Sequence, residues 1–171
     1  AAQTAAIAVS GEPAGMTSTS DWDGSSWTVG PTVPTWAQGT SGGGTTTAAF
    51  CNANVNNVTA TLVFNGSSWT AGNSSTNGHN YGGAGGTDAD GITFGGTSGT
   101  PTRNVQAELY DGTNWSTGAN MGTGRSNLHG DLVITAPACL SATGYVAPPG
   151  YSALCEEFNA EYVGTQTLTT S

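Results

Sequence analysis

The sequence predicts an all-β fold built as an array of about four repeats of roughly 42–48 residues, with negligible helix. Three observations predict it. A six-residue pattern, aromatic–Asx–Gly–Ser/Thr–polar–Trp, occurs as Trp22-Asp23-Gly24-Ser25-Ser26-Trp27, Phe64-Asn65-Gly66-Ser67-Ser68-Trp69 and Tyr110-Asp111-Gly112-Thr113-Asn114-Trp115. A worn fourth copy, Phe158-Asn159-Ala160-Glu161-Tyr162, follows, so the starts at 22, 64, 110 and 158 are 42, 46 and 48 residues apart. Periods of this length mark repeat architectures. The second observation is composition: Gly is 27 of 171 residues, Ser and Thr make up about a quarter, and charged residues are only 8%. Such a chain suits short strands joined by tight turns. Third, Gly and Thr interrupt every window, so no 3.6-residue apolar period survives.

The elements follow in order. Thr4–Val9 reads as a strand. Each Asx-Gly reads as a hairpin turn of type I′, in which both central residues need φ > 0. Gly24, Gly66 and Gly112 supply that freedom. The flanking aromatics, Trp22 with Trp27, Phe64 with Trp69 and Tyr110 with Trp115, then face each other across paired strands as packing residues. Further strands are expected at Thr47–Phe50, Asp90–Phe94, Leu132–Thr135 and Thr165–Thr169. Gly82–Gly86 reads as a flexible connection, and no helix follows it to bind phosphate. Ser152–Phe158 is the longest helix candidate, one or two turns at best. The end of the chain echoes its beginning, Gln3–Ile7, which places both termini in one shared sheet. Residues 1–171 form a single repeat domain with approximate units 1–44, 45–88, 89–131 and 132–171. The last unit is degenerate, carries Pro148-Pro149 and fits a cap.

The third unit runs Ile92-Thr93-Phe94-Gly95-Gly96, then Tyr110-Asp111, Trp115, Met121, Arg125 and His129-Gly130. This resembles a kelch repeat: a diglycine after a strand, then a Tyr, a Trp and an Arg–His–Gly segment leading into the next strand. The resemblance covers residues 90–130 well and the remainder weakly. In the first unit Ser10-Gly11 stands for the diglycine, and in the second Cys51-Asn52. The resemblance implies a β-propeller with one four-stranded sheet per blade. The Asx-Gly-Ser/Thr-x-Trp flavour is similar to kelch-like repeats in structural and fibre proteins of bacteriophages.

Charge narrows the function classes. The net charge is −9, no Lys is present, and Arg103 and Arg125 are the only Lys or Arg residues. A nucleic-acid partner needs a basic footprint that two Arg do not supply, and anionic lipid surfaces are disfavoured for the same reason. No apolar run of membrane-spanning length occurs, so no membrane insertion is expected. Cys139 and Cys155 flank the Pro-rich loop and are a candidate disulfide, whereas Cys51 sits in an apolar run and reads as a buried thiol.

No catalytic residue is assigned. Asp23 and Asp111, with Asn65, sit where a turn selects Asx. Asp88-Ala89-Asp90-Gly91 resembles the start of a calcium loop. Asp88 and Asp90 are therefore the metal candidates, against the alternative of a polar turn and no cofactor. His129 reads as the loop histidine of the repeat and His79 as a surface or turn residue. Trp36 and Tyr81 lie outside the repeated hairpins and are the candidate ligand-binding aromatics.

The expected function is a non-enzymatic virion structural or host-recognition module, a phage fibre, spike, tail or capsid appendage. It would act through repeat-loop contacts to other virion or surface subunits, in a homo-oligomer or multi-copy assembly, and to glycans. A secreted bacterial lectin or adhesin domain is the alternative, and a propeller enzyme acting on carbohydrate a third. Localisation is virion or extracellular.

Overall fold

Short β-branched and aromatic runs bounded by Gly and Pro become antiparallel strands. The computed structural model describes residues 4–9, 16–35, 38–53, 59–98, 102–131, 138–146, 150–159 and 166–167. Every regular element among them is a β-strand. The first sheet has three strands, β1 (Ala6–Val9), β2 (Thr19–Trp22) and β3 (Trp27–Val29), in that order. The second runs β4 (Gly42–Gly44), β5 (Ala49–Ala53), β6 (Ala60–Phe64) and β7 (Trp69–Ala71). The third runs β8 (Gly83–Gly86), β9 (Gly91–Phe94), β10 (Ala107–Tyr110) and β11 (Trp115–Thr117). The fourth begins with β12 (His129–Asp131) and β13 (Ala138–Ala142). A small hairpin, β14 (Tyr145–Val146) with β15 (Gly150–Tyr151), interrupts it before β16 (Cys155–Asn159) and β17 (Gln166–Thr167) complete the order β12-β13-β16-β17.

Register makes the sheets superimposable. Ala6, Ala49 and Gly91 stand opposite Trp22, Phe64 and Tyr110, which stand opposite Trp27, Trp69 and Trp115. The first strands of the last three sheets share one row: β4 lies against β8, and β8 against β12. Each of these three sheets takes its first strand from the end of the preceding sequence unit.

Alternation then assigns faces. Ile7 and Val9 of the first sheet pack against Ala49, Cys51, Phe64 and Trp69 of the second. Phe50 and Val63 of the second face Ala84, Tyr110 and Trp115 of the third. Ile92, Phe94 and Leu109 of the third face Phe158 of the fourth. Trp69 and Trp115 thus each close on the sheet before their own. Trp115 donates its indole N–H to Thr61 Oγ1 in the second sheet at 2.8 Å. Trp27 has no described sheet on its side and is 55% exposed.

Several expectations change. The turns carry positive φ at Gly24 (98°), Gly66 (90°) and Gly112 (90°), but not at the preceding Asx. Glycine therefore holds the first of two central positions, the placement of a type II′ turn rather than I′. Asx acts through its side chain: Asp23 Oδ1 accepts from the Ser25 and Ser26 amides at 2.8 Å each. Asn65 and Asp111 repeat this on residues 67, 68 and 113, 114. Gly82–Gly86 is no loose connection, since Gly83–Gly86 is the buried strand β8. The helix candidate is β16 over its second half, because its Glu156 and Glu157 pair with Ser141 and Leu140. Gln166 and Thr167 pair with β16 in the fourth sheet, so they do not share the sheet of β1.

The disulfide expectation is also corrected. Cys155 is a free cysteine. Its ladder partner is Ala142, whereas Cys139 faces Phe158, three positions along the strand. Three strand residues span about 10 Å, beyond the reach of a disulfide. Cys51 is a buried free thiol as expected, and burial pushes its pKa up to about 12. In the second unit, register aligns Asn52 with Phe94, so the diglycine position falls at residues 53–54, not on Cys51-Asn52.

Candidate functional site

Two positions recur on the approach to the inner strands, and the sequence singled out neither as a repeat. The first is a buried pair. His79 lies four residues before Gly83, which pairs with Phe94; Arg125 lies four before His129, which pairs with Ala142. Glu108 on β10 and Glu156 on β16 hold the same place in their sheets. His79 Nε2 meets Glu108 Oε2 at 2.8 Å, and Nδ1 meets the Gly95 carbonyl at 2.9 Å. Glu108 also accepts the Thr76 and Asn77 amides at 2.8 and 2.9 Å. Burial pushes the Glu108 carboxyl up, but the His79 bond and the two amides outweigh it and hold the pKa near 2. In the fourth sheet, Arg125 donates to Glu156 Oε1 at 2.5 Å and to the Leu154 carbonyl at 2.6 Å. Gly122 N–H donates to Glu156 Oε2 at 2.6 Å. Each pair ties an incoming connection to the third strand of its sheet. His79 is 1% exposed, which corrects the surface reading.

The second position lies two residues further on. Tyr81 and Asn127 each stand two residues before the first ladder position of an inner strand, Gly39 stands three before that of β4, and their φ values are 56°, 53° and 63°. Tyr81 N–H donates to the Gly39 carbonyl at 3.0 Å, and Leu128 N–H donates to the Tyr81 carbonyl at 3.3 Å. These bonds set the three segments side by side. A side chain at Gly39 would meet Asn80 Oδ1 at 2.3 Å and the Tyr81 ring at 2.9 Å, so any larger residue would have to displace both. Left-handed backbone at a Tyr costs about 1–2 kcal/mol. Such strain persists where the surroundings over-determine it and clusters at functional positions. The Tyr81 side chain is 42% exposed, and Asn127 is exposed beside it along the row. Asn80 Oδ1 is buried with no hydrogen-bond partner among the described residues. The row offers an aromatic face and neutral polar groups, the means to stack on and hydrogen-bond an uncharged ligand.

The other expected positions lie elsewhere. Trp36 falls outside the described residues. Asp88 and Asp90 sit at the β8–β9 turn, where Thr87 and Asp90 exchange backbone bonds at 2.9 and 3.3 Å. Among the described residues no group of three or more His, Cys, Asp or Glu comes together. Burial, then the nearby Asp111 and Asp88 charges, raise the Tyr110 phenol pKa. The ring pairs are present, with centroids 5.5 Å apart for Trp22–Trp27, 5.0 Å for Phe64–Trp69 and 4.8 Å for Tyr110–Trp115. No helix among the described residues is long and apolar enough to cross a membrane.

No protein-family model matches the sequence, and no curated protein matches it. Among solved structures, that of YjhT is similar in fold: the TM-score is 0.69 at 14% identity, over 90% of this chain and 52% of that one. The chain thus spans about half the length of YjhT. At that identity the likeness is one of all-β fold.

Proposed function

We propose that this chain is a non-enzymatic binding and assembly module: a kelch-like, propeller-type array whose Gly39–Tyr81–Asn127 row takes a neutral glycan. The single observation that carries the binding role is Tyr81. A large aromatic is kept in a left-handed backbone, at an energetic cost, and its ring remains 42% exposed. The propeller arrangement is supported by the row of first strands, β4 against β8 against β12. The non-enzymatic reading is supported by the buried charged groups, since His79, Glu108, Arg125 and Glu156 are occupied in tying segments together.

The site belongs on a virion or extracellular surface, as on a phage fibre, spike, tail or capsid appendage, where many weak sites act together. Trp27 at 55% and Val29 at 89% exposure on the open face of the first sheet favour neighbouring subunits as partners. A neutral glycan array probed with the protein and with Tyr81→Ala tests the binding. Retention on one glycan class, abolished in a Tyr81→Ala variant that melts as a folded protein, is the expected result. Equal retention by both proteins would remove Tyr81 from the site. Quantitative mass spectrometry of gradient-purified particles tests the location: a fixed integer ratio to a capsid or tail protein is expected, and absence from particles would favour the secreted adhesin.

A further inference from the structure

Backbone strain outside glycine gathers in one place. Among the described residues, the non-glycine positions with left-handed backbone are Tyr81, Asn127 and Thr143, the last at φ 58°. A β-branched residue in that region is a genuine outlier, and such strain clusters at functional positions. Thr143 stands at the entrance to the β14–β15 hairpin, which interrupts the fourth sheet. Its carbonyl accepts from Arg125 at 3.2 Å. At the next residue, a Cβ on Gly144 would come within 2.8 Å of Leu128 Cδ2. The hairpin is thereby folded down onto residues 125–128. Ser126 N–H donates to Tyr145 O at 3.0 Å, and Tyr145 N–H donates to Ser126 O at 2.7 Å. These bonds seat Tyr145 beside the neighbour of Asn127, at the end of the Tyr81 row.

A second set of contacts reaches the hairpin from the Tyr81 side. Asn80 and Thr97 exchange backbone bonds at 3.0 and 2.8 Å. Thr97 pairs in turn with Arg103, and Arg103 Cζ lies 4.4 Å from the centre of the Tyr145 ring. The route through Thr97 and the route through Leu128 and Asn127 close a circuit, with Tyr81 on one side and Tyr145 on the other. Two peptide steps and two cross-strand steps along the second route hold their Cα atoms within about 20 Å. Arg103 braces the Tyr145 ring, and Tyr145 meets Tyr151 edge-on with centroids 5.6 Å apart. Tyr151 is 84% exposed, and a Cβ on the adjacent Gly150 would meet nothing within 4 Å. We propose that the β14–β15 hairpin is a second sugar subsite, and that the ligand is a linear neutral oligosaccharide with one unit stacked on Tyr81 and another on Tyr151. This rests on the reading of the Tyr81 row as a glycan site. An exposed ring held in place by its neighbours offers a face on which a sugar stacks. Once the first unit is bound, the second contact is intramolecular, so affinity grows with the length of the oligosaccharide.

The test titrates the 171-residue protein with malto-, cello- and chito-oligosaccharide ladders, from monosaccharide to hexasaccharide, and follows binding by NMR. On the ladder that binds, affinity should rise by about tenfold or more from the shortest member to the longest. Tyr151→Ala should bring the long members down to the affinity of the short ones. Binding of the short members should not change, which also shows that the variant is folded. Tyr151→Phe keeps the ring and should keep the gain with length. Tyr81→Ala should abolish binding at every length. Affinity independent of length, or a gain with length that survives Tyr151→Ala, would overturn the second subsite and leave the Tyr81 reading in place. Binding that survives Tyr81→Ala at every length would overturn that reading instead. Retention of no member of any ladder would overturn both.

Discussion

At the scale of single residues, the buried pairs decide most. Glu108 satisfies His79 and two amides at once. Glu108→Ala leaves all three unpaired in the interior, and breaking such a pair typically costs about 3–5 kcal/mol. Urea unfolding should show that loss, and Glu108→Gln, which keeps acceptor capacity for part of the set, should show a smaller one. The pH dependence has a definite sign. The folded pKa of Glu108 is depressed from 4.5 to about 2. Its stabilisation is therefore complete above about pH 4.5 and drains away as pH falls toward 2; denaturant midpoints across that window should fall, and flatten in Glu108→Gln. Tyr81→Gly should melt at or above the temperature of the parent, since glycine relieves the left-handed strain, while glycan retention is lost. These residues were hard to read from sequence. His79 and Glu108 are 29 positions apart, Arg125 and Glu156 are 31. Their equivalence appears only once the inner strands are located.

At the scale of elements, the hairpins were legible and the inner strands were not. Asx-Gly between aromatics carries its own local signal, and the ring pairs follow from the register it sets. The strands β4 and β8 consist of Gly and Ala alone. No propensity marks them as strands, because their composition answers to close packing with neighbours far away in sequence. The helix expected at Ser152–Phe158 failed for a related reason: local preference yielded to the β13–β16 ladder. The turn glycines give a ranked prediction. Ala at each meets a φ near +90°, at a cost of about 1–2 kcal/mol. At Gly66 the new Cβ also comes within 2.9 Å of Thr47 O, against 3.3 Å to Ala89 Cα at Gly112. Gly66→Ala should thus lower the melting temperature more than Gly112→Ala.

At the scale of the whole molecule, packing is directional. The first three sheets present their hairpin Trp backwards, so Trp69 is buried and Trp115 half-buried while Trp27 is exposed. Trp69→Ala should destabilise by about 3–5 kcal/mol, as large core truncations do. Trp27→Ala should stay within about 0.5 kcal/mol in the isolated chain. Acrylamide should quench a Trp27 component that disappears in Trp27→Ala, and a partner sheet seated on that face should shield it.

The capped turns also determine how the molecule ages. Asn65-Gly66 is the one hairpin of the three with a carboxamide where its siblings carry carboxylates, and Asn-Gly is a sequence prone to spontaneous hydrolysis through a cyclic imide. One product, aspartate, converts the second turn into a copy of the first and third, with the same two amides to hold. Asn65→Asp should accordingly fold as well as the parent. The other product, isoaspartate, inserts an extra methylene into the backbone between Phe64 and Trp69 and withdraws the acceptor from its place. Both products lose ammonia and gain a carboxylate, so ion exchange should separate them together from the parent, and within that acidic fraction only the isoaspartate form should melt early.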